Sequence, residues 1–310
     1  MSFEEGELSG LHVIYKDRAN FESKLASFKA DGASALSVIS DFDFTLSRYW
    51  QADGSSRSAS CHMVLENSDG LLPAEYVRKA QELQHHYYPI EKDPTIGKEE
   101  KYKEMEAWVT KHNLLFQEIN LTEFIVNQAV ANAMESGNFA LRGKLQEMFE
   151  VLEKADIPLL IFSAGISNVL ESALQKTIGV LPRNMDVASN KLLFDESGVL
   201  TGFSEPVLHV MNKSCHAFLE TVPFFKRLDN ENRKNLFVFG DSMGDLKMIE
   251  GLDVQPENVI KIGFLNPKDH EPLLPTYLEA GETSYDIVIL GDPPLDVHLQ
   301  ILQNIVNAEP

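Results

Sequence analysis

Short, mostly apolar runs punctuate the chain, each followed by polar or small residues: Leu36–Ile39, Leu159–Phe162, Leu236–Phe239, Val259–Ile262 and Ile287–Leu290. Runs of this length without alternation predict strands buried on both faces. Between the first run and the second, apolar residues recur every three or four positions, which predicts helices over Ala74–Tyr88, Lys98–Lys111, Leu121–Met134 and Leu141–Lys154. A helix is also expected over residues 11–30, closed by Asp31-Gly32. After Pro158 strands and helices alternate, with helices over Val169–Thr177, Ala217–Leu228, Leu246–Glu250 and Leu295–Val306 and a hairpin pairing Val187–Ser189 with Leu200–Phe203.

That order predicts an α/β fold with a doubly wound, mainly parallel sheet and an inserted helical cap. The core is expected over residues 1–52 and 140–310 and the cap over 53–139. The outgoing boundary is suggested by the small, polar stretch Asp53-Gly54-Ser55-Ser56-Arg57-Ser58, and the return falls near Val130–Gly143.

Composition narrows the partners more than the fold. The chain has 310 residues, 44% of them hydrophobic, and a formal net charge of −20. Such a balance argues against binding nucleic acid polymers or anionic membranes, which need clustered Lys and Arg. A small anionic substrate stays open if a metal ion, a lysine and backbone N–H groups make one pocket locally positive. The start, Met-Ser-Phe-Glu-Glu-Gly-Glu, has no basic and apolar leader, and no apolar run approaches the roughly 20 residues that span a bilayer. A soluble, cytoplasmic, monomeric protein is expected. Cys61 and Cys215 are too few for a disulfide framework and form no Cys-x-x-Cys pattern, so both read as structural thiols.

Chemistry enters where strands end. Ligands of open α/β sheets bind outside the carboxyl ends of the strands, and three of the predicted strands run into reactive polar groups. These are Asp41-Phe42-Asp43-Phe44-Thr45, Ser163-Ala164-Gly165, and Gly240-Asp241-Ser242-Met243-Gly244-Asp245. Each has a plain structural reading as a turn or helix entry. A calcium loop at Asp41 fails, because Leu46 stands where glycine is needed and Ala52 where the bidentate glutamate belongs. Lys213 alone reads as a solvated lysine, and Leu193-Phe194-Asp195-Glu196, which echoes the first motif, reads as a hairpin turn.

Taken in order, Asp41-x-Asp43-x-Thr45, Ser163, Lys213 and Gly240-Asp241-Ser242-x-Gly244-Asp245 resemble the four motifs of the haloacid dehalogenase superfamily of phosphotransferases. Further stretches narrow this: Ser40–Arg48, Tyr87–Pro94, Ile161–Ile166 and Leu208–Lys213 are similar to the cytosolic 5′-nucleotidase III family. The resemblance implies a haloacid-dehalogenase-like core and hydrolysis of nucleoside 5′-monophosphates such as CMP, UMP or 7-methyl-GMP, with a nucleoside phosphotransferase side activity.

It also implies roles. Asp41 would be the nucleophile that forms an aspartyl-phosphate, and Asp43 the acid and base that serves the leaving oxygen and the attacking water. Mg²⁺ would be held by Asp41, the backbone carbonyl of Asp43 and Asp241, with Asp245 in the outer coordination sphere. Lys213, Ser163 and Ala164 would bind the phosphate, Thr45 would orient Asp43 or the motif's backbone, and Glu91 would contact the base. Trp108, with Tyr102 and Met105 nearby, could stack on the base, although a set at that spacing is more often helix core. Where the family often carries serine, Thr110-Lys111-His112-Asn113 places His112, which could still hydrogen-bond the substrate. The rival readings are a phosphatase for another small ester such as phosphoserine, and a catalytically silent binding protein on the same fold.

Overall fold

The computed structural model describes residues 3–308 apart from 69, 94 and 280, so Pro94 of the Tyr87–Pro94 stretch lies outside the described residues. The strands are β1 (Glu4–Leu8), β2 (Leu11–Tyr15), β3 (Leu36–Ser40), β4 (Leu159–Ile166), β5 (Met185–Asn190), β6 (Leu192–Phe194), β7 (Leu200–Phe203), β8 (Asn235–Gly240), β9 (Val259–Leu265) and β10 (Ile287–Leu290). The α-helices are α1 (Arg18–Asp31), α2 (Cys61–Glu66), α3 (Ala74–Lys92), α4 (Lys98–Glu118), α5 (Glu123–Glu135), α6 (Leu145–Lys154), α7 (Ser167–Ile178), α8 (Pro223–Asn230), α9 (Leu274–Leu278) and α10 (Asp296–Val306). Eight strands form one sheet in the order β1-β2-β10-β9-β8-β3-β4-β5, and β6 pairs with β7 separately. The sheet is parallel from β10 to β5, while β1 and β2 add an antiparallel ribbon at one edge.

Strand pleating explains why these runs are apolar throughout. Successive side chains point to opposite faces, and both faces are covered. Val38, Ile161 and Phe237 join the core that includes Phe28 of α1, Phe149 of α6 and Leu302 of α10. Their neighbours Ile39, Leu160 and Val238 join a second core with Phe224 and Phe225 of α8. The central three strands are in register, with Ser40 opposite Ile161 on β4 and Phe239 on β8. Their carboxyl ends therefore finish side by side.

Four expectations change. Residues 11–15 form β2 rather than the start of a helix: Val13, Ile14 and Tyr15 are buried and pair with β10. The helix begins only at Arg18, where the Asp17 carboxylate accepts the amide of Asn20 at 2.9 Å. Val187–Ser189 belongs to β5 in the main sheet, and Leu200–Phe203 pairs instead with Leu192–Phe194. The helix expected over Ala217–Leu228 is a 3₁₀ turn at Cys215–Ala217 followed by α8, because Pro223 fits only the first helical turn. Leu246–Glu250 lies in 3₁₀ rather than α geometry, over Asp245–Ile249.

Helices α2 to α5 lie between β3 and β4 in the chain, and the strands of chain leading out and back run together. The Arg48 amide donates to Ala140 O at 2.8 Å, Ala59 N to Asn138 O at 2.8 Å and Arg142 N to Leu46 O at 2.9 Å. No helix among the described residues is long and apolar enough to cross a membrane.

Candidate active site

Asp41 follows directly on β3, its amide still donating to Phe239 O of β8 at 2.9 Å. The side chain is buried, and its Oδ1 lies 2.5 Å from Lys213 Nζ. The same ammonium lies 2.6 Å from Asp245 Oδ1. The other oxygen of Asp245 accepts from the amides of Asp241 and Ser242 and from the Ser242 hydroxyl, at 3.1, 2.9 and 2.9 Å. Asp245 thus ties the loop after β8 to Lys213, and Gly240 permits the approach: a Cβ there would meet Asp245 Cβ at 2.5 Å.

Burial pushes Asp41 up to about 7, against the pull of Lys213, with Asp245 adding to the rise. Burial would lower the Lys213 ammonium, but Asp245 and Asp41 outweigh it and the pKa is raised, so the lysine is a fixed cation. Asp43 is also raised, chiefly by burial, although the Cys61 thiol and amide oppose this; the amide donates to Oδ1 at 2.9 Å. A raised carboxyl is suited to donating a proton. Ser163 is buried at the end of β4, where its Oγ accepts from Gly165 N at 3.0 Å. A Cβ at Gly165 would meet Asp43 Oδ2 at 3.0 Å, so the second motif needs glycine to approach the first.

One ligand oxygen from each of Asp41, Asp241 and Asp245 can be chosen so that all lie within 4.8 Å of one another. Three carboxylates so gathered are a hard-cation donor set.

Asp41, Asp43, Ser163, Ala164, Lys213, Asp241 and Asp245 all line one cavity of about 250 Å³. Glu91, Met105, Trp108 and His112 line its helical wall. Trp108 stacks on Tyr87, with centroids 5.8 Å apart and planes at 15°. Tyr102 instead packs against His209 at 4.7 Å. His112 is buried, its Nε2 3.2 Å from Tyr76 OH, and burial lowers it to about 3, which leaves the imidazole neutral. Thr45 is not hydrogen-bonded to Asp43: its Oγ1 is buried with no hydrogen-bond partner among the described residues, and it does not line the cavity. The turn after Asp43 is organised by other groups.

Those groups have no motif of their own. Phe44 sits at φ 65°, a strained conformation for a residue with a side chain. Its carbonyl accepts from Arg142 Nη2 at 2.8 Å and from Asn266 Nδ2 at 3.0 Å, and its amide donates to Ser47 Oγ at 2.8 Å. Arg142 also donates to Thr45 O at 2.8 Å, pairs with Asp292 at 2.8 Å and lies 3.7 Å over the Phe264 ring. Asp292 in turn accepts from the amides of Tyr49 and Trp50. Arg57, from the expected linker, lines the cavity and lies over the Phe44 ring at 4.3 Å. His62 and Glu66 of α2 line it as well. A lone Arg, Asn or Asp gives no periodic signal, and only tertiary proximity shows these roles.

Comparison with known proteins agrees with this geometry. Residues 44–306 match the family model described as pyrimidine 5′-nucleotidase (UMPH-1). A chicken protein named 7-methylguanosine phosphate-specific 5′-nucleotidase is 39% identical over 283 residues, covering 91% of this chain and 92% of its own. The human protein of that name is 36% identical, with 99% and 96% covered. Among solved structures, cytosolic 5′-nucleotidase IIIB bound to cytidine superposes with a TM-score of 0.77 at 30% identity, covering 94% of this chain and 93% of that one. A haloacid-dehalogenase family hydrolase from Salmonella enterica shares the fold alone, with a TM-score of 0.52 at 12% identity and coverage of 89% and 72%. With most of its length matched in sequence and in fold, the chain belongs to the pyrimidine 5′-nucleotidase family, and so to the phosphoric monoester hydrolases built on a haloacid-dehalogenase-type core.

Proposed function

We propose that the protein is a Mg²⁺-dependent 5′-nucleotidase that releases phosphate from nucleoside monophosphates, CMP, UMP or 7-methyl-GMP among them. The observation that carries the reading is the convergence of Asp41, Asp43 and Lys213 on the floor of a cavity walled by Trp108 and Glu91. Asp41 attacks phosphorus, the bond from phosphorus to the 5′-oxygen breaks, and Asp43 gives its proton to that oxygen, freeing the nucleoside. Water then attacks the aspartyl-phosphate while Asp43 takes back a proton, and Asp41 leaves as the free carboxylate. A nucleoside hydroxyl in place of water would yield phosphotransfer.

Asp41, Asp241 and the carbonyl of Asp43 would hold Mg²⁺, with Asp245 in the outer sphere, since both its oxygens already serve Lys213 and the Asp241 loop. Bound there, the cation would supply the positive charge that lets a phosphate dianion enter among carboxylates. Lys213 would supply the remaining charge, and Ser163 and Ala164, which line the same cavity, would hold phosphate oxygens.

Residues 53–139 are, in this reading, a cap that walls the base and excludes water from the phosphate. The reading extends to a monomeric cytoplasmic enzyme acting on free nucleotides, and the net charge of −20 supports the exclusion of polymers. Phosphate release from CMP, UMP, 7-methyl-GMP, AMP and phosphoserine, with Mg²⁺ and with EDTA, tests it. Asp41→Asn should abolish turnover, and EDTA should do the same to the wild type. Preference for phosphoserine would sink the nucleotidase reading, and full activity in Asp41→Asn would sink the covalent step.

A further inference from the structure

Glu66 ends α2, the short helix whose first residue gives its amide to Asp43. At a rise of about 1.5 Å per residue, five residues carry the chain roughly 7.5 Å along the helix axis from that contact. That is the scale on which a nucleoside extends from its 5′-oxygen. Glu66 lines the same cavity as Asp43, yet is only 3% exposed.

Its polar contact among the described residues is with His112 Nε2 at 3.5 Å, longer than a good hydrogen bond. Burial keeps His112 neutral, so the contact is not an ion pair, and Tyr76 OH lies nearer the same nitrogen, at 3.2 Å. A buried carboxyl held by one long contact is costly unless something else satisfies it. The group that can reach it through the cavity is the substrate. Burial raises Glu66 to about 7, so an ionised form with acceptors only is accessible near neutral pH. Guanine presents adjacent N–H donors on one edge, whereas uracil presents one N–H between two carbonyls.

We propose that Glu66 is a specificity-determining residue that accepts hydrogen bonds from the paired N–H donors of a guanine-type base, with His112 and Tyr76 as its positioning residues. The inference deepens the nucleotidase reading and rests on it.

The test compares kcat/KM for 7-methyl-GMP, UMP and ribose 5-phosphate in wild type and Glu66→Gln. Glutamine turns one acceptor into a donor, which opposes guanine but suits uracil, so the ratio of 7-methyl-GMP to UMP should fall at least ~10-fold. An unchanged ratio overturns the proposal. Should Glu66→Gln fail to fold, Glu66→Asp, which withdraws the same carboxylate by one methylene, takes its place: its ratio of 7-methyl-GMP to UMP should fall at least ~10-fold, and an unchanged ratio overturns the proposal. Wild type that hydrolyses ribose 5-phosphate but no nucleotide would defeat the nucleotidase reading itself. Nucleotide hydrolysis with an unmoved ratio defeats only the role of Glu66.

Discussion

The two ends of the cavity are built on different principles. At the carboxyl ends of β3, β4 and β8, charged groups are already partnered inside the protein: Asp41 and Asp245 share Lys213, Asp43 holds the Cys61 amide, and the turn after Asp43 is clamped by Arg142 and Asn266. Along the helical wall, Trp108 leans on Tyr87 and Glu66 has, among the described residues, one long contact to a neutral imidazole. A preorganised floor suits a group that is the same in every substrate, because electrostatic stabilisation then needs no rearrangement. A wall carrying a loosely held carboxyl such as Glu66 suits the part that varies, since the substrate completes it.

Replacing Asp43 breaks this contrast most severely. Asp43→Asn should lower kcat for CMP by about 10²–10⁴-fold, the usual worth of a positioned acid–base. The burst of p-nitrophenolate from p-nitrophenyl phosphate, a leaving group that needs no proton, should fall far less in rate, because it is released before the aspartyl-phosphate is hydrolysed. Equal losses in single-turnover burst would remove the proton-donor role. The clamp comes next: Arg142→Ala removes the buried cation from Asp292 and from the Phe44 and Thr45 carbonyls, leaving Asp292, among the described cations, only the partly exposed Arg48 at 3.1 Å, and should destabilise the fold by about 3 kcal/mol in urea unfolding. A change below measurement error would mean the floor is held by other contacts. At the wall, Trp108→Ala should raise KM for CMP roughly 10-fold, the scale of one lost stacking contact, while leaving the urea midpoint near the wild-type value. A fall in kcat with unmoved KM would place Trp108 in the protein's packing rather than against the base.

What the sequence shows of this arrangement depends on how local each signal is. Val38 and Ile39, or Phe237 and Val238, are buried in two different cores, so their strands read as apolar runs and their polar ends stand out. Asp41, Ser163 and Asp241 follow such runs directly and were legible for that reason. β1 reads Glu-Glu-Gly-Glu-Leu, largely exposed, and is a strand only because β2 lies beside it. α2 has six residues, too few to show a period, and Glu66 looks like a solvated helix end until α3 and α4 cover it. Arg142 acts on carbonyls at Phe44 and Thr45 that only the closed fold brings near. Thr45 shows the opposite failure: its place in the motif suggests a partner, and the turn geometry gives its hydroxyl none among the described residues.

The smallest effect expected is also the one that separates an unsatisfied wall from a partnered one. Burial raises Glu66 from 4.5 to about 7, so the folded protein holds this proton more tightly than the unfolded chain. Below pH 4.5 the group is protonated in both states and ionisation costs nothing. As pH climbs from there to 7 the unfolded chain ionises freely, and wild type loses up to about 1.4 kcal/mol per pH unit that Glu66→Gln does not. The neighbouring imidazoles act in the other direction: His112 is lowered to about 3 and His62 is lowered too, so their contribution is present above 6.5 and lost as pH falls. They are common to both proteins and cancel in the difference. Urea unfolding of both proteins between pH 5 and 7 should therefore give a stability difference that grows in favour of Glu66→Gln by about 1 kcal/mol per unit and levels above 7. A flat difference would mean that Glu66 already has a charged partner in the folded protein, and the contrast between floor and wall would not hold.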